Sequence, residues 1–224
     1  MGKTKIIAVE GIDGSGKTVQ IKMLKSYLSS LGRSVAVRAY PVYDSYFGAH
    51  IGRLLSGAEN ICATEIDGKR MDLWFALDRW EDMMTYRDGE SDYLLINRYT
   101  LSNAVYQSIR ECRLGRADIF EWVLDLEFNH FGIPRPDVSI VLDVGTTRAS
   151  SNVDSKGFRG YVGKSKDVYE ESSVLQELAR QRYLDCALKY GGVYSVCCMN
   201  GDKMLSPNEI ARKTTGILRD AGLV

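Results

Sequence analysis

The stretch that most constrains this chain is Gly11-Ile12-Asp13-Gly14-Ser15-Gly16-Lys17-Thr18, directly after the apolar run Ile6-Ile7-Ala8-Val9. Glycine, four residues, then Gly-Lys-Thr is the spacing of a Walker A loop, which belongs between the end of a strand and the start of a helix. Glycines let the backbone turn tightly enough for several N–H groups to converge on one concavity, and a helix beginning near Gly16 adds the positive end of its dipole. Polyphosphate fits such a cradle. Lys17 then reaches the β and γ phosphates, and the Thr18 hydroxyl joins the shell of a bridging Mg²⁺.

Strand, loop and helix set a pattern that repeats along the chain. Strands are expected at Lys5 to Glu10, Ser34 to Tyr40, Tyr93 to Ile96, Val138 to Asp143 and Val193 to Cys198. Helices are expected from Gly16 to Leu31, Phe47 to Leu55, Thr64 to Tyr86, Leu101 to Arg110 and Ala117 to Asn129. Another follows the fourth strand, one ends near Tyr190, and the last starts at Pro207. Five short apolar runs alternating with helices predict an α/β fold with a five-stranded parallel sheet covered on both faces. The 224 residues suit one domain.

Composition narrows the partners. With 29 basic and 29 acidic residues, neither a nucleic-acid groove nor an anionic membrane surface is indicated. The apolar runs are too short for a signal peptide or a membrane span, so the cytosol is expected. Five cysteines without a CxxC pair indicate neither zinc nor a disulfide framework.

Ligands in such sheets bind beyond the carboxyl ends of the strands. That rule gathers Asp13 to Thr18, Tyr40 to Tyr43, Asn97 to Tyr99, and Asp143 onward into one candidate site. Arg98 supplies a planar guanidinium that can grip a phosphate in two places. On the long helix Phe75 and Arg79 lie one turn apart on one face. They either stack on and donate to a planar base, or serve as core residue and partner of Asp78 or Asp82. Asn103, Tyr106 and Gln107 share a stripe of the next helix, which is a solvated surface unless it faces the cleft beside Arg98. The loop Lys156 to Lys166, with Arg159, Lys164, Lys166 and three glycines, suits either a cationic flap or a plain exposed loop. Asp167 and Glu170 are expected to start the following helix.

Taken together, these residues resemble the thymidylate kinases, P-loop kinases that pass the γ-phosphate of ATP to dTMP. The resemblance is carried by Glu10 through Thr18, Tyr40-Pro41, Leu73 through Arg79, Arg98-Tyr99 with Ser102 through Tyr106, Gly132 through Asp137, and Asp167 through Glu170. It implies a P-loop NTPase fold with a short lid at about residues 150–166, and a homodimer that uses ATP, dTMP and Mg²⁺. By resemblance Phe75 stacks on thymine, Arg79 bonds its O4 edge, Asn103 and Gln107 line the base site, and Tyr106 packs against the sugar 2′ position. Tyr40, Tyr43 and Arg98 hold the monophosphate, Asp13 touches the acceptor side and the metal-bound water, with Glu170 as a further candidate to hold Mg²⁺ through water, and Arg159 or Arg148 reaches ATP from the lid. The catalytic set is therefore Asp13, Lys17, Arg98 and Arg159.

Three departures stand out. The family usually has Asp-Arg-Tyr where this chain has Asn97-Arg98-Tyr99; many relatives place an arginine near Tyr43; and Val19 stands where a second hydroxyl is common. Asn97 keeps an oxygen and loses a charge, which leaves open a catalytically weakened nucleotide binder. A kinase for dUMP, another pyrimidine monophosphate or a deoxynucleoside also stays open, because a methyl pocket cannot be read from sequence.

Overall fold

The computed structural model describes residues 2–57, 62–154, 167, 169–170 and 172–224. Its element order is β1 Lys5–Glu10, α1 Lys17–Ser30, β2 Val35–Ala39, α2 Tyr46–Ser56, α3 Gly68–Met83, β3 Tyr93–Asn97, α4 Thr100–Arg113 and α5 Phe120–Asp125. A π-helical turn Leu126–His130 follows, then β4 Val138–Asp143, α6 Thr146–Asp154, α7 Ser173–Lys189, β5 Val193–Cys197, β6 Met199–Asn200, β7 Lys203–Met204 and α8 Pro207–Asp220.

Five strands pair in the order β2-β3-β1-β4-β5, every pairing parallel. This is the expected α/β sheet. The middle of β1, Ile6 to Val9, is apolar because it is buried on both faces. Ile7 and Val9 join Leu24 and Leu28 of α1 and Ile210 and Leu218 of α8, while Ile6 and Ala8 join Met83, Tyr99 and Ile133. The register sets Asn97 opposite both Val9 and Ala39, so the chain leaves β1, β2 and β3 along one edge of the sheet. The Walker loop, Tyr40-Pro41 and Arg98 meet there for that reason.

Some boundaries differ from expectation. α3 begins at Gly68 rather than near Thr64, because the Asp67 side chain caps it by accepting from Arg70 N at 2.9 Å. Asp167 and Glu170 lie in a turn ahead of α7, whose N-cap is Ser172. The Asp167 carboxylate accepts from the amides of Tyr169 and Glu170, each at 2.9 Å, and local closure of this kind competes with a helical start. The β6–β7 hairpin was too short to anticipate. The expected lid lies mostly outside the described residues: α6 covers its first residues through Asp154, whereas Arg159, Lys164 and Lys166 are not described.

Candidate active site

Two glycines make the phosphate loop possible. Gly14 has φ +78°, and a Cβ there would lie 2.0 Å from the Ala149 carbonyl oxygen, so α6 could not pack against the loop if any side chain were present. Gly16, φ +91°, caps α1 in the left-handed conformation. Asn152 of α6 donates to Gly14 O at 2.9 Å and holds the loop from above. Lys17 is buried and folded back, its Nζ donating to Gly11 O at 2.9 Å and Ile12 O at 2.8 Å. Those carbonyls preposition the ammonium at the mouth of the cradle.

Arg98 follows β3 with φ +63°, among the described residues the one non-glycine in the left-handed region. That turn sends its guanidinium back over the sheet edge, where Nη2 donates to Asp13 Oδ1 and Nη1 reaches Ser102 Oγ at 3.4 Å. Beneath it lies Glu10, fully buried. Glu10 accepts from Tyr99 N at 2.8 Å and from Ser102 Oγ at 2.5 Å, and so caps α4, which has no side-chain cap of its own. Burial pushes the Glu10 carboxyl up from its usual range; the bonds from Ser102 and Tyr99 oppose that shift.

Gln176 of α7 ties these parts together, and nothing local to its sequence marks it. Its Oε1 accepts from Asp13 N at 3.2 Å and from the Tyr106 hydroxyl at 3.0 Å, while its Nε2 donates to Asp13 Oδ2 at 3.3 Å and Tyr169 O at 3.0 Å. Gln176→Ala frees Asp13, and with it Arg98. We expect kcat to drop about tenfold with little change in melting, since a lost supporting partner commonly costs 10- to 100-fold. A steady-state rate equal to the parent's would show that Asp13 is held well enough without it.

Arg98 lines a cleft of about 660 Å³, together with Val19, Gln20, Met204 and Pro207 from α1, β7 and the start of α8, and with Tyr43, Phe75, Arg79, Asn103, Tyr106 and Gln107 from the loop after β2, α3 and α4. The stripe on α4 is therefore interior: Asn103, Tyr106 and Gln107 are each no more than 5% exposed. Gln107 accepts from Arg110 Nη1 at 2.7 Å, and the Tyr106 ring lies 5.7 Å from the Arg98 guanidinium.

Arg79 pairs with neither residue suggested by its own helix. Asp78 accepts from Val42 N at 2.9 Å and Ser45 Oγ at 2.8 Å, pinning the loop after β2. Asp82 takes Arg38, and also the phenol of Tyr40 at 2.6 Å. Arg79 instead grips Glu127 of the π-helical turn through Nε at 2.6 Å and Nη2 at 2.5 Å, which leaves Nη1 outside that pair, and the residue lines the cleft. The Tyr40 hydroxyl is thus committed to Asp82, and the donor expected from it toward a phosphate is not presented. Arg148 is exposed on α6 and does not line the cleft.

Asn103 sits between two acids. Its Nδ2 donates to Asp72 Oδ1 and lies 3.3 Å from Glu127 Oε1, while its Oδ1 is buried and has no hydrogen-bond partner among the described residues. On the phosphate side Asn97 Nδ2 donates to the Thr18 hydroxyl at 3.3 Å, and Asn97 Oδ1 is another buried acceptor without a partner.

A Walker loop at the mouth of a parallel sheet, opening with Arg98 onto one cleft, defines a P-loop kinase acting on small nucleotides. The family model described as "Thymidylate kinase" matches residues 9–195. The thymidylate kinase of Mycobacterium tuberculosis is 31% identical over 195 residues, covering 85% of this chain and 90% of that protein. The probable thymidylate kinase of Thermococcus kodakarensis is 32% identical over 191 residues, covering 81% and 83% respectively. The chain belongs to the thymidylate kinase family. In fold it also matches a solved thymidylate kinase from Candida albicans, with a TM-score of 0.74 at 17% identity over 99% of this chain and 93% of that one.

Proposed function

We propose that this chain transfers the γ-phosphoryl group of ATP to dTMP, with ATP on the Walker loop and dTMP in the part of the cleft lined by Phe75 and Arg79. One pairing carries the acceptor assignment: Arg79, whose Nη1 is not taken up by Glu127, and the side-chain amide of Asn103 line the same cleft as Phe75. A uracil-type ring offers an acceptor at O4 next to a donor at N3–H, which complements this pair. Cytosine offers the reverse order. Phe75 supplies the stacking face, Tyr106 packs against the sugar, and Gln107 closes the slot.

In phosphoryl transfer the protein contributes mainly position and charge. The dTMP phosphate is already an anion, so no strong base is needed. Arg98 turns its loosely held Nη1 to the acceptor phosphate, Tyr43 adds a hydroxyl, Lys17 moves from its carbonyls to the β and γ phosphates, and Arg159 adds charge from the lid. Mg²⁺ fits the residues present. Thr18 offers a ligand oxygen, and Asn97, Asp13 and Glu170 can hold its waters, in keeping with an ion that prefers phosphates and water to a protein cage. When bound, it neutralises charge on the β and γ phosphates.

We read residues 1–224 as one kinase unit in the cytosol; among the described residues no helix is long and apolar enough to cross a membrane. A second copy of the chain pairs across α3, where Leu73, Trp80 and Met84 are exposed.

The test is ADP production from ATP and Mg²⁺ with dTMP, dUMP or no acceptor. Turnover is expected with dTMP and, more slowly, with dUMP; equal ADP production without an acceptor would overturn the reading. Asn97→Asp tests the Mg²⁺ assignment. It should lower the free Mg²⁺ needed for half-maximal rate by about tenfold, a usual size for an outer-shell carboxylate. An unchanged Mg²⁺ titration would place residue 97 outside the metal's shell.

A further inference from the structure

Tyr183 of α7 is 1% exposed, and its hydroxyl lies 2.8 Å from Ser102 Oγ. Its ring packs edge-on to Tyr106, with centroids 6.5 Å apart. That packing needs only the ring, whereas a buried phenol O–H is costly unless it is hydrogen-bonded. What the bond to Ser102 does follows from the donors and acceptors at that oxygen. A serine hydroxyl has one proton to give and two lone pairs to accept with. The Ser102 proton goes to Glu10 Oε2 at 2.5 Å. Arg98 Nη1, at 3.4 Å, can only donate, and so takes one lone pair. Tyr183 meets the other and therefore donates as well. Burial above all pushes its hydroxyl well above the usual phenol range, which keeps that proton in place.

Two donors thus share one serine oxygen, and the phenol is the closer of the two. Hydrogen bonds near the upper distance limit are weak, so Arg98 has the smaller share. We infer that Tyr183 is a positioning residue for Arg98: by filling Ser102 Oγ it keeps the guanidinium's Nη1 loosely engaged and free to move to the acceptor's monophosphate. With phenylalanine at position 183 the serine oxygen has only Arg98 to accept from, and the guanidinium is drawn onto it. This rests on the reading of Arg98 as the residue that grips the acceptor phosphate.

Tyr183→Phe keeps the ring against Tyr106 and removes only the hydroxyl. The probes are dTMP and thymidine, which differ by the phosphate alone, each titrated by calorimetry. The parent should bind dTMP roughly tenfold or more tightly than thymidine, as expected for hydrogen bonds to a charged group. In Tyr183→Phe dTMP should bind about fivefold more weakly, the size of one hydrogen bond, while thymidine changes by less than about twofold. A phenol that served packing alone would weaken both ligands alike. In a Ser102→Ala background the competition for the oxygen is gone, and adding Tyr183→Phe should then change dTMP binding by less than about twofold. If that background does not fold, Ser102→Cys, whose sulfur accepts weakly, is read in the same way.

Equal parent affinities for dTMP and thymidine would overturn the phosphate-gripping reading of Arg98, and this inference with it. A parent that prefers dTMP, with Tyr183→Phe weakening both ligands equally or neither, would overturn the role of Tyr183 alone. A loss of dTMP affinity that persists without the serine oxygen would do the same.

Discussion

Replacing Arg98 with alanine should lower kcat by roughly 10³-fold or more while leaving the fold intact, the scale at which an arginine facing a transferring phosphoryl group acts. The structure explains both halves of that result. Arg98 lines the cleft beside the Walker loop, with one guanidinium nitrogen on Asp13 and the other only loosely on Ser102. Alanine inherits the same left-handed backbone, so no new strain is added, and the Arg98–Asp13 pair is partly exposed at 20% and 19%. Its loss should therefore cost about 1 kcal/mol or less. Arg98→Lys keeps a positive charge without the planar fork and should recover part of the rate. Steady-state kinetics with thermal melting decides it. An alanine variant that melts normally and retains most of its turnover removes Arg98 from the reaction.

Arg79→Ala should do two separate things. Glu127 and Asp72 are both 0% exposed, and Arg79 is the cation bonded within this buried cluster. Removing one partner of a buried ion pair typically destabilises by about 3–5 kcal/mol, a large part of the roughly 5–15 kcal/mol that holds a domain together. The folded fraction should also need far more dTMP. Combining Arg79→Met with Glu127→Gln separates the effects: no uncompensated Arg79–Glu127 charge remains, and glutamine still accepts from Thr100, which lies 2.9 Å from Glu127 Oε2. Stability should largely return while the dTMP KM stays high. Urea unfolding and dTMP titration give the two readings. If stability and KM recover together, Arg79 serves folding and does not read the base.

These two arginines also mark how far the sequence could be read. Arg98 was legible because its evidence is local: an apolar strand ends, and a cation follows at the edge where such sheets bind ligands. The Walker loop is legible for the same reason, since its glycines, its lysine and the flanking strand and helix fall within 26 consecutive residues, 5–30. Phe75 and Arg79 were legible as a pair through helical spacing. Their partner was not. Glu127 lies 48 residues from Arg79, on a stretch that reads as ordinary helix and forms a π-helical turn.

The α4 stripe shows the same divide. Asn103, Tyr106 and Gln107 are polar at helical spacing, which in sequence is indistinguishable from a wetted face. Packing of α3 and α7 against α4 makes them interior. Gln176 carried no signal, because its partner Asp13 is 163 residues away. Tyr40 was placed correctly at the end of β2, but its hydroxyl turns to Asp82 of a helix that sequence adjacency does not connect to it.

By itself, then, the sequence determined the parallel α/β sheet, the phosphate loop and the strand ends that face it, because backbone turns, capping and side-chain periodicity act over one or two turns of chain. Tertiary structure alone decided which acid each arginine meets, which polar stripe is dry and which way the Asn103 amide points. Those outcomes depend on partners brought together by packing, and in a dry interior each polar group must take whichever partner the packing supplies.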